Sequence, residues 1–166
     1  MKARLFSLFI LLACMLIQAQ AQTKAQAPSQ PQQSFPYPAL PDTLRSVEQR
    51  AGYLSEHYWD NYNFADTLML ESEEVTEQGF VNFIDILGRF SPAIAQKGIA
   101  GFTQRAFKNT AAKERFESLI EHYFENPQSP LRNDRVYLLF LEEMKNSPCF
   151  DEAEKERLAF KIKTTN

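Results

Sequence analysis

Apolar residues recur every three or four positions through most of the chain beyond residue 41, a spacing that places them on one face of an α-helix. The segment from Thr76 to Phe90 shows this most clearly, because Phe80, Phe83, Ile84 and Leu87 fall on one side. No segment alternates apolar and polar residues for long enough to predict a β-strand. The sequence therefore predicts an all-α fold.

Helix start and stop residues divide this region into an irregular bundle of about six predicted helices. Ser46 and Gln49 have the spacing of a capping box, and Ser91 before Pro92 is a typical helix start. The predicted helices run from Ser46 to about Asp60, from Thr76 to Phe90, from Ser91 to Ala106, from Thr110 to Asn126, from Val136 to Asn146, and from Asp151 onward. Between the first two, Asn61 to Val75 has unevenly spaced apolar residues, so we expect an extended stretch packed on the surface.

The first 21 residues have the order of a secretory signal peptide. Lys2 and Arg4 precede an apolar run from Leu5 to Ile17, and Ala19-Gln20-Ala21 follows as a small-residue cleavage site. The apolar run is shorter than the ~20 residues that a membrane-spanning helix needs. We therefore expect cleavage after Ala21, no transmembrane span in the mature chain, and an exported protein in the periplasm or outside the cell.

Cys14 leaves a second interpretation of the N-terminus open. Leu11-Leu12-Ala13-Cys14 resembles a lipoprotein cleavage box, in which the cysteine becomes the lipidated first residue. Leu12 and the apolar residues after Cys14 are unusual for such a box. Soluble export is therefore favoured over a lipoprotein.

Residues 22–41 are rich in Pro, Gln and Ser and show no helical period, which is typical of an extended linker. The aromatic side chains of Phe35 and Tyr37, with Leu40, are expected to lie against the domain where it begins. The sequence thus predicts a signal peptide at 1–21, a linker at 22–41 and a helical domain at 42–166.

Charge and cysteine content exclude several classes of function. There are 18 Lys plus Arg residues against 21 Asp plus Glu, and no basic stripe remains to neutralise phosphates, so nucleic-acid binding is not predicted. Cys14 lies within the signal peptide and Cys149 is then alone. Without a Cys-x-x-Cys pair, this chain has no thioredoxin-type dithiol site.

His57, Trp59 and Asp60 form the candidate functional surface, near the end of the first predicted helix. A metal site could also be assembled from His57 and Asp60 with His122 of the fourth predicted helix, but no two histidines have a spacing that would place both on one helix face. No metal or other cofactor is therefore predicted. The dense aromatic setting favours a packing role instead, with Trp59 as a core anchor and polar groups at its edge.

Cys149 precedes the N-terminus of the sixth predicted helix. The helix dipole there favours a thiolate, whereas Asp151 and Glu152 oppose it. A small apolar residue packed near Phe150 is therefore favoured over a reactive thiol. The chain also lacks a Gly-rich phosphate loop, a Gly-x-Ser-x-Gly elbow and a His-Glu-x-x-His motif, so no enzyme is predicted.

Four segments occur in an order that resembles a known family. They are Gln49 to Asp60, Asn63-Phe64, Val75 to Val81, and Asn126 to Asn133. This succession resembles an uncharacterised helical domain family of exported bacterial proteins, and the resemblance covers about residues 35–160. The family usually lies N-terminal to a thioredoxin-like domain of the disulfide reductase type. That domain is absent here, so the resemblance implies either a domain that acts alone or a shortened two-domain protein, and it carries over no redox activity.

Two functional hypotheses follow. The first is an exported non-catalytic helical module that binds a protein or peptide partner, with a thioredoxin-like protein as the partner that the resemblance implies. The second is a small-ligand binder or enzyme that uses the His57, Trp59 and Asp60 surface. A ligand site requires a concave pocket with converging polar groups, whereas a partner module requires exposed apolar surface.

Overall fold

The computed structural model describes residues 34–165, so the predicted signal peptide, Cys14 and most of the predicted linker lie outside the described residues. Within this range the chain forms seven α-helices and one π-helical turn, with no β-strand, which confirms the all-α prediction. The elements are α1 (Val47–His57), α2 (Thr67–Glu71), the π-helical turn (Glu73–Glu77), α3 (Gln78–Arg89), α4 (Pro92–Ala106), α5 (Thr110–Glu125), α6 (Asp134–Asn146) and α7 (Glu152–Thr165). None of the helices described is both long and apolar enough to cross a membrane.

Capping boxes fix the beginnings of the first and last helices, as the sequence predicts. At α1 the backbone N–H of Gln49 donates to Ser46 Oγ over 3.1 Å, and the Ser46 N–H donates to Gln49 Oε1, also over 3.1 Å. At α7 the corresponding distances between Asp151 and Glu154 are 2.7 and 2.8 Å. Each box satisfies two backbone groups that the helix leaves unpaired.

Two other helix starts differ slightly from the prediction because asparagines cap them. Helix α5 begins at Thr110 as predicted, but the capping side chain belongs to Asn109. Helix α6 begins at Asp134, capped by Asn133, two residues before the predicted start at Val136. The short Asn side chain accepts a backbone N–H and so allows the helix to start ahead of its apolar face.

The prediction of an extended stretch over Asn61 to Val75 is wrong, because this segment contains α2 and the first part of the π-helical turn. The Asp66 side chain caps α2 by accepting from the backbone N–H groups of Leu68 and Met69, both over 3.1 Å. A helix of five residues makes little more than one turn. Its apolar residues therefore cannot display a helical period.

The π-helical turn runs directly into α3, and Thr76, the predicted start of the second helix, lies within this turn. The cap is Ser72, whose side chain accepts a backbone N–H of the turn. Thr76 is buried instead, where its hydroxyl donates to the backbone oxygen of Met69 and hydrogen-bonds the hydroxyl of Tyr62. These bonds tie the turn to α2 and to the loop after α1.

Close packing between α1 and α4 explains the glycines in α4, which weaken its intrinsic helical propensity. A Cβ atom on Gly98 would lie 2.9 Å from the backbone oxygen of Ser55 and 3.1 Å from Leu87 Cδ2. The Ser55 hydroxyl meanwhile donates to the backbone oxygen of Ile94 on α4 over 3.3 Å. Glycine therefore permits an approach that no larger residue would allow.

Aromatic rings from nearly every element meet in one core. Its largest fully buried side chains are Trp59, Tyr58, Phe80, Phe83, Phe102, Phe116, Phe124 and Phe140. Phe35 is also buried, and its ring centroid lies 4.8 Å from that of Tyr58. Gly79 makes room for it, because a Cβ there would lie 2.3 Å from the Phe35 ring. The core thus includes one residue of the predicted linker, while the domain boundary at residue 41 stays a prediction.

Candidate functional site

The structure separates the three residues of the predicted surface. Trp59 is only 1% exposed, so its assignment to a surface is wrong and its alternative assignment as a core anchor is correct. It lies in the turn after α1, where its apolar ring completes the aromatic core. His57 and Asp60, by contrast, keep about a third of their side chains exposed.

His57 and Asp60 form an ordered pair that extends to Arg105 on α4. His57 Nδ1 lies 2.7 Å from Asp60 Oδ2, and Arg105 Nη2 lies 2.6 Å from Asp60 Oδ1. The ring of Tyr53, one helical turn earlier, contacts the imidazole in a tilted arrangement, with 4.2 Å between centroids. The pair therefore has a fixed orientation, with His57 Nε2 making no hydrogen bond among the described residues.

An Asp-oriented imidazole can accept or donate a proton, but it needs a reacting group beside it. The nearby hydroxyl of Ser55 is already bonded to the backbone oxygen of Gly52 over 3.1 Å and to that of Ile94. Within residues 34–165, no three His, Cys, Asp or Glu side chains converge as a metal site would require. What the His57–Asp60–Arg105 arrangement visibly does is join the end of α1 to α4.

Cys149 is a free, half-buried cysteine packed against the edge of the core. Lys113 Nζ donates to its backbone oxygen over 2.9 Å, contacts Glu154 at 2.7 Å, and lies 4.0 Å from the Phe150 ring centre. The cysteine borders an open cleft of about 280 Å³ whose lining includes Lys108 and Glu143, one charge of each sign. Packing beside Phe150 agrees with the favoured apolar role, whereas the reactivity of the thiol stays untested.

A second open cleft, of about 350 Å³, lies between α2 and α5, and sequence reasoning missed it. It is lined by Thr67, Leu70, Glu71, Ala111, Glu114 and Arg115. Leu68, in the same short helix, exposes 78% of its surface. The cleft could not be found from the sequence because one of its walls belongs to the segment predicted as extended.

A polar network stands behind this cleft and connects α5 to the π-helical turn. Arg115 Nη2 lies 3.1 Å from Glu77 Oε2, and the Tyr123 hydroxyl donates to Glu77 Oε1 over 2.8 Å. Burial, together with this bond to the carboxylate, raises the pKa of Tyr123 to about 12. The phenol therefore remains a neutral donor at physiological pH and acts as a structural link.

Large exposed apolar side chains lie on several different elements rather than on one helix face. They are Tyr37 and Leu40 before α1, Val47 in α1, Leu68 in α2, and Phe160 in α7. Only Leu68 adjoins the residues that line the cleft between α2 and α5.

Within residues 34–165, these features define a class of protein: an all-α domain with a closed aromatic core, an oriented His–Asp pair and open clefts at its surface. The chain belongs to the family described as Domain of unknown function (DUF5106), whose model matches residues 13–165. This result confirms the resemblance to an uncharacterised helical family.

The fold is also similar to that of a solved structure, a thioredoxin-like protein from Bacteroides caccae. The two are 37% identical with a TM-score of 0.71, over 79% of this chain and 47% of that one. The chain therefore spans about half the length of that protein. None of the curated proteins matches this chain.

Proposed function

We propose that this protein is an exported, non-catalytic helical module that binds a thioredoxin-like protein. The observation that carries the proposal is the unequal coverage of the structural match, which takes in 79% of this chain but only 47% of the Bacteroides caccae protein. The same module thus occurs joined to further sequence in a protein described as thioredoxin-like.

The secondary structure supports assigning the description 'thioredoxin-like' to the part of that protein that this chain does not match. A thioredoxin-like site is built on a βαβ pattern, whereas residues 34–165 of this chain contain no strand. The matched, helical part is therefore a companion to the thioredoxin-like part. In the Bacteroides caccae protein the module shares a chain with such a part. The same module on its own is therefore suited to contact a thioredoxin-like protein encoded as a separate chain.

The internal bonding of the polar side chains supports a non-catalytic role. The hydroxyl of Tyr62 bonds Thr76, and that of Tyr58 donates to the backbone oxygen of Gly79 over 3.0 Å. The Glu77 carboxylate holds both Arg115 and Tyr123. Groups committed to the fold in this way are poor acids, bases or nucleophiles.

The second candidate is a small-ligand binder or enzyme that uses His57 and Asp60. The observation in its favour is the 2.7 Å contact that orients the imidazole through Nδ1 and leaves Nε2 without a hydrogen bond among the described residues. Trp59 takes no part in this candidate, because its side chain is buried.

Affinity capture from the host cell envelope, followed by reconstitution, tests the leading proposal. The tagged protein should retain a thioredoxin-like protein identified by mass spectrometry, and the two purified proteins should bind in calorimetry. The His57→Ala variant should bind equally well. If no thioredoxin-like protein binds, and His57→Ala abolishes turnover or binding of a small molecule, the second candidate replaces the first.

A further inference from the structure

We propose that the cleft between α2 and α5 is the docking site for a basic segment of a protein partner, with an apolar side chain as its anchor. This inference rests on the proposed function only in assuming a protein partner. The proposal concerns where that partner binds and what chemistry it presents.

The apolar part of the site comes from both walls of the cleft. Leu70 and Ala111 line it, and Leu68 stands beside it with most of its surface exposed. A leucine this exposed on a short helix contributes little to the core, yet it offers apolar area to a partner. The volume of about 350 Å³ is at the small end of the range for ligand pockets, which suits one anchoring side chain.

The negative charge at the rim of the cleft favours a partner segment that carries positive charge. Glu71 and Glu114 are both exposed, and neither forms an ion pair with any described residue. Arg115, the basic residue among those lining the cleft, is already engaged by Glu77 at 3.1 Å. Two carboxylates thus remain unneutralised at the rim, so Lys or Arg side chains flanking the anchor would be attracted.

The cleft walls are held in place before any partner binds. Asp66 caps α2, and the Thr76 hydroxyl donates to the backbone oxygen of Met69 within α2. On the other wall, Arg115 is tied to Glu77. A preformed site loses less conformational freedom on binding, which favours recognition by a small surface.

The test uses the purified protein and a short fluorescent peptide of alternating lysines and leucines, with a glutamate–leucine peptide as the control ligand. Fluorescence anisotropy should show binding of the basic peptide alone, weakened by added salt because the contacts are exposed ion pairs. Amide NMR shifts should be confined to residues 67–71 and 111–115 and their immediate neighbours.

Matched surface variants locate the interaction without affecting the core. The double variant Glu71→Lys/Glu114→Lys should weaken binding at least ~5-fold, as expected for two exposed ion pairs. Glu142→Lys/Glu156→Lys makes the same change of charge away from the cleft and should bind like the parent. Leu68→Ser should weaken binding, whereas Val47→Ser, at a residue that is 67% exposed, should not.

Equal binding of both peptides, NMR shifts centred elsewhere, or equal effects of the two charge variants would overturn the docking site. Capture of a thioredoxin-like protein that is insensitive to Glu71→Lys/Glu114→Lys would preserve the proposed function and reject the cleft. Binding of the basic peptide at the cleft without capture of a thioredoxin-like protein would preserve the cleft and reject the proposed function.

Discussion

Replacing Trp59 with alanine should destabilise the fold more than any change at the neighbouring His57–Asp60 pair. The indole is 1% exposed, and its ring lies within 5.8 Å, centroid to centroid, of seven other aromatic rings. Those rings belong to Phe35, Tyr58, Tyr62, Phe64, Phe83, Phe102 and Phe116. Because they come from several elements, they cannot all move inward to fill the space.

The expected loss of unfolding free energy on Trp59→Ala follows from the buried area of the indole and from one unpaired polar atom. A buried Trp removes about 200 Å² from water, which at ~25 cal/mol/Å² corresponds to about 5 kcal/mol before the remaining alanine is subtracted. The Trp59 Nε1–H is buried without an acceptor among the described residues, so removing it recovers ~1 kcal/mol or more. We expect a net loss of ~3 kcal/mol for Trp59→Ala and ~1 kcal/mol for Trp59→Phe, which keeps a ring and removes the unpaired donor.

Urea unfolding followed by far-UV circular dichroism is the suitable assay, because the chain has a single Trp and the variants lose its fluorescence. His57→Ala is the matched control, expected to cost at most about 1 kcal/mol, since it removes an ion pair whose side chains are about a third exposed. A loss below ~1 kcal/mol for Trp59→Ala, or a larger loss for His57→Ala, would refute the assignment of Trp59 as the core anchor.

Two further predictions use paired variants and the same unfolding assay. Gly98→Ala should destabilise the fold by roughly 1–3 kcal/mol because its Cβ would meet the α1 backbone. Gly52→Ala, whose Cβ would have nothing within 4 Å, should stabilise the fold by roughly 0.5–1 kcal/mol. Equal effects of the two variants would contradict the close packing of α1 against α4. Burial raises the pKa of Glu117, while at Glu125 burial is outweighed by hydrogen bonds from Lys161 and a tyrosine, so its pKa is lowered. At about pH 7, Glu117→Gln should therefore stabilise and Glu125→Gln destabilise. The Glu117 effect should fade as the pH falls through its raised pKa to the ordinary Glu value, whereas the Glu125 effect should fade only as the pH falls below that value; effects that persist in acid would show that the two carboxylates act through packing.

The helices that could be predicted are those in which local chemistry and apolar period agree. Ser46 with Gln49, and Asp151 with Glu154, form the expected capping boxes. Segment 61–75 could not be predicted, because α2 is too short to show a period and depends on capping by Asp66. Met69 and Leu70 of α2 are buried in the core. The tertiary contacts that bury them, rather than a local sequence pattern, account for the helix.

The candidate site was predictable in part. The sequence places His57 and Asp60 one turn apart, and the structure joins them. The sequence pattern is compatible with two roles for Trp59, and only the three-dimensional packing decides for the core. The third partner, Arg105, lies on α4 and reaches Asp60 because glycines allow α1 and α4 to approach closely. No spacing rule within one helix could have identified it.

The two surfaces that remain as functional candidates make opposite demands on the protein. A catalytic His57–Asp60 pair would need an adjoining space for substrate, and neither side chain lines the two clefts described above. The cleft between α2 and α5 has a different character, since its lining offers apolar area and two exposed carboxylates. The variants Glu71→Lys/Glu114→Lys and His57→Ala therefore test the proposed binding module and the proposed His57–Asp60 site on separate residues of the chain.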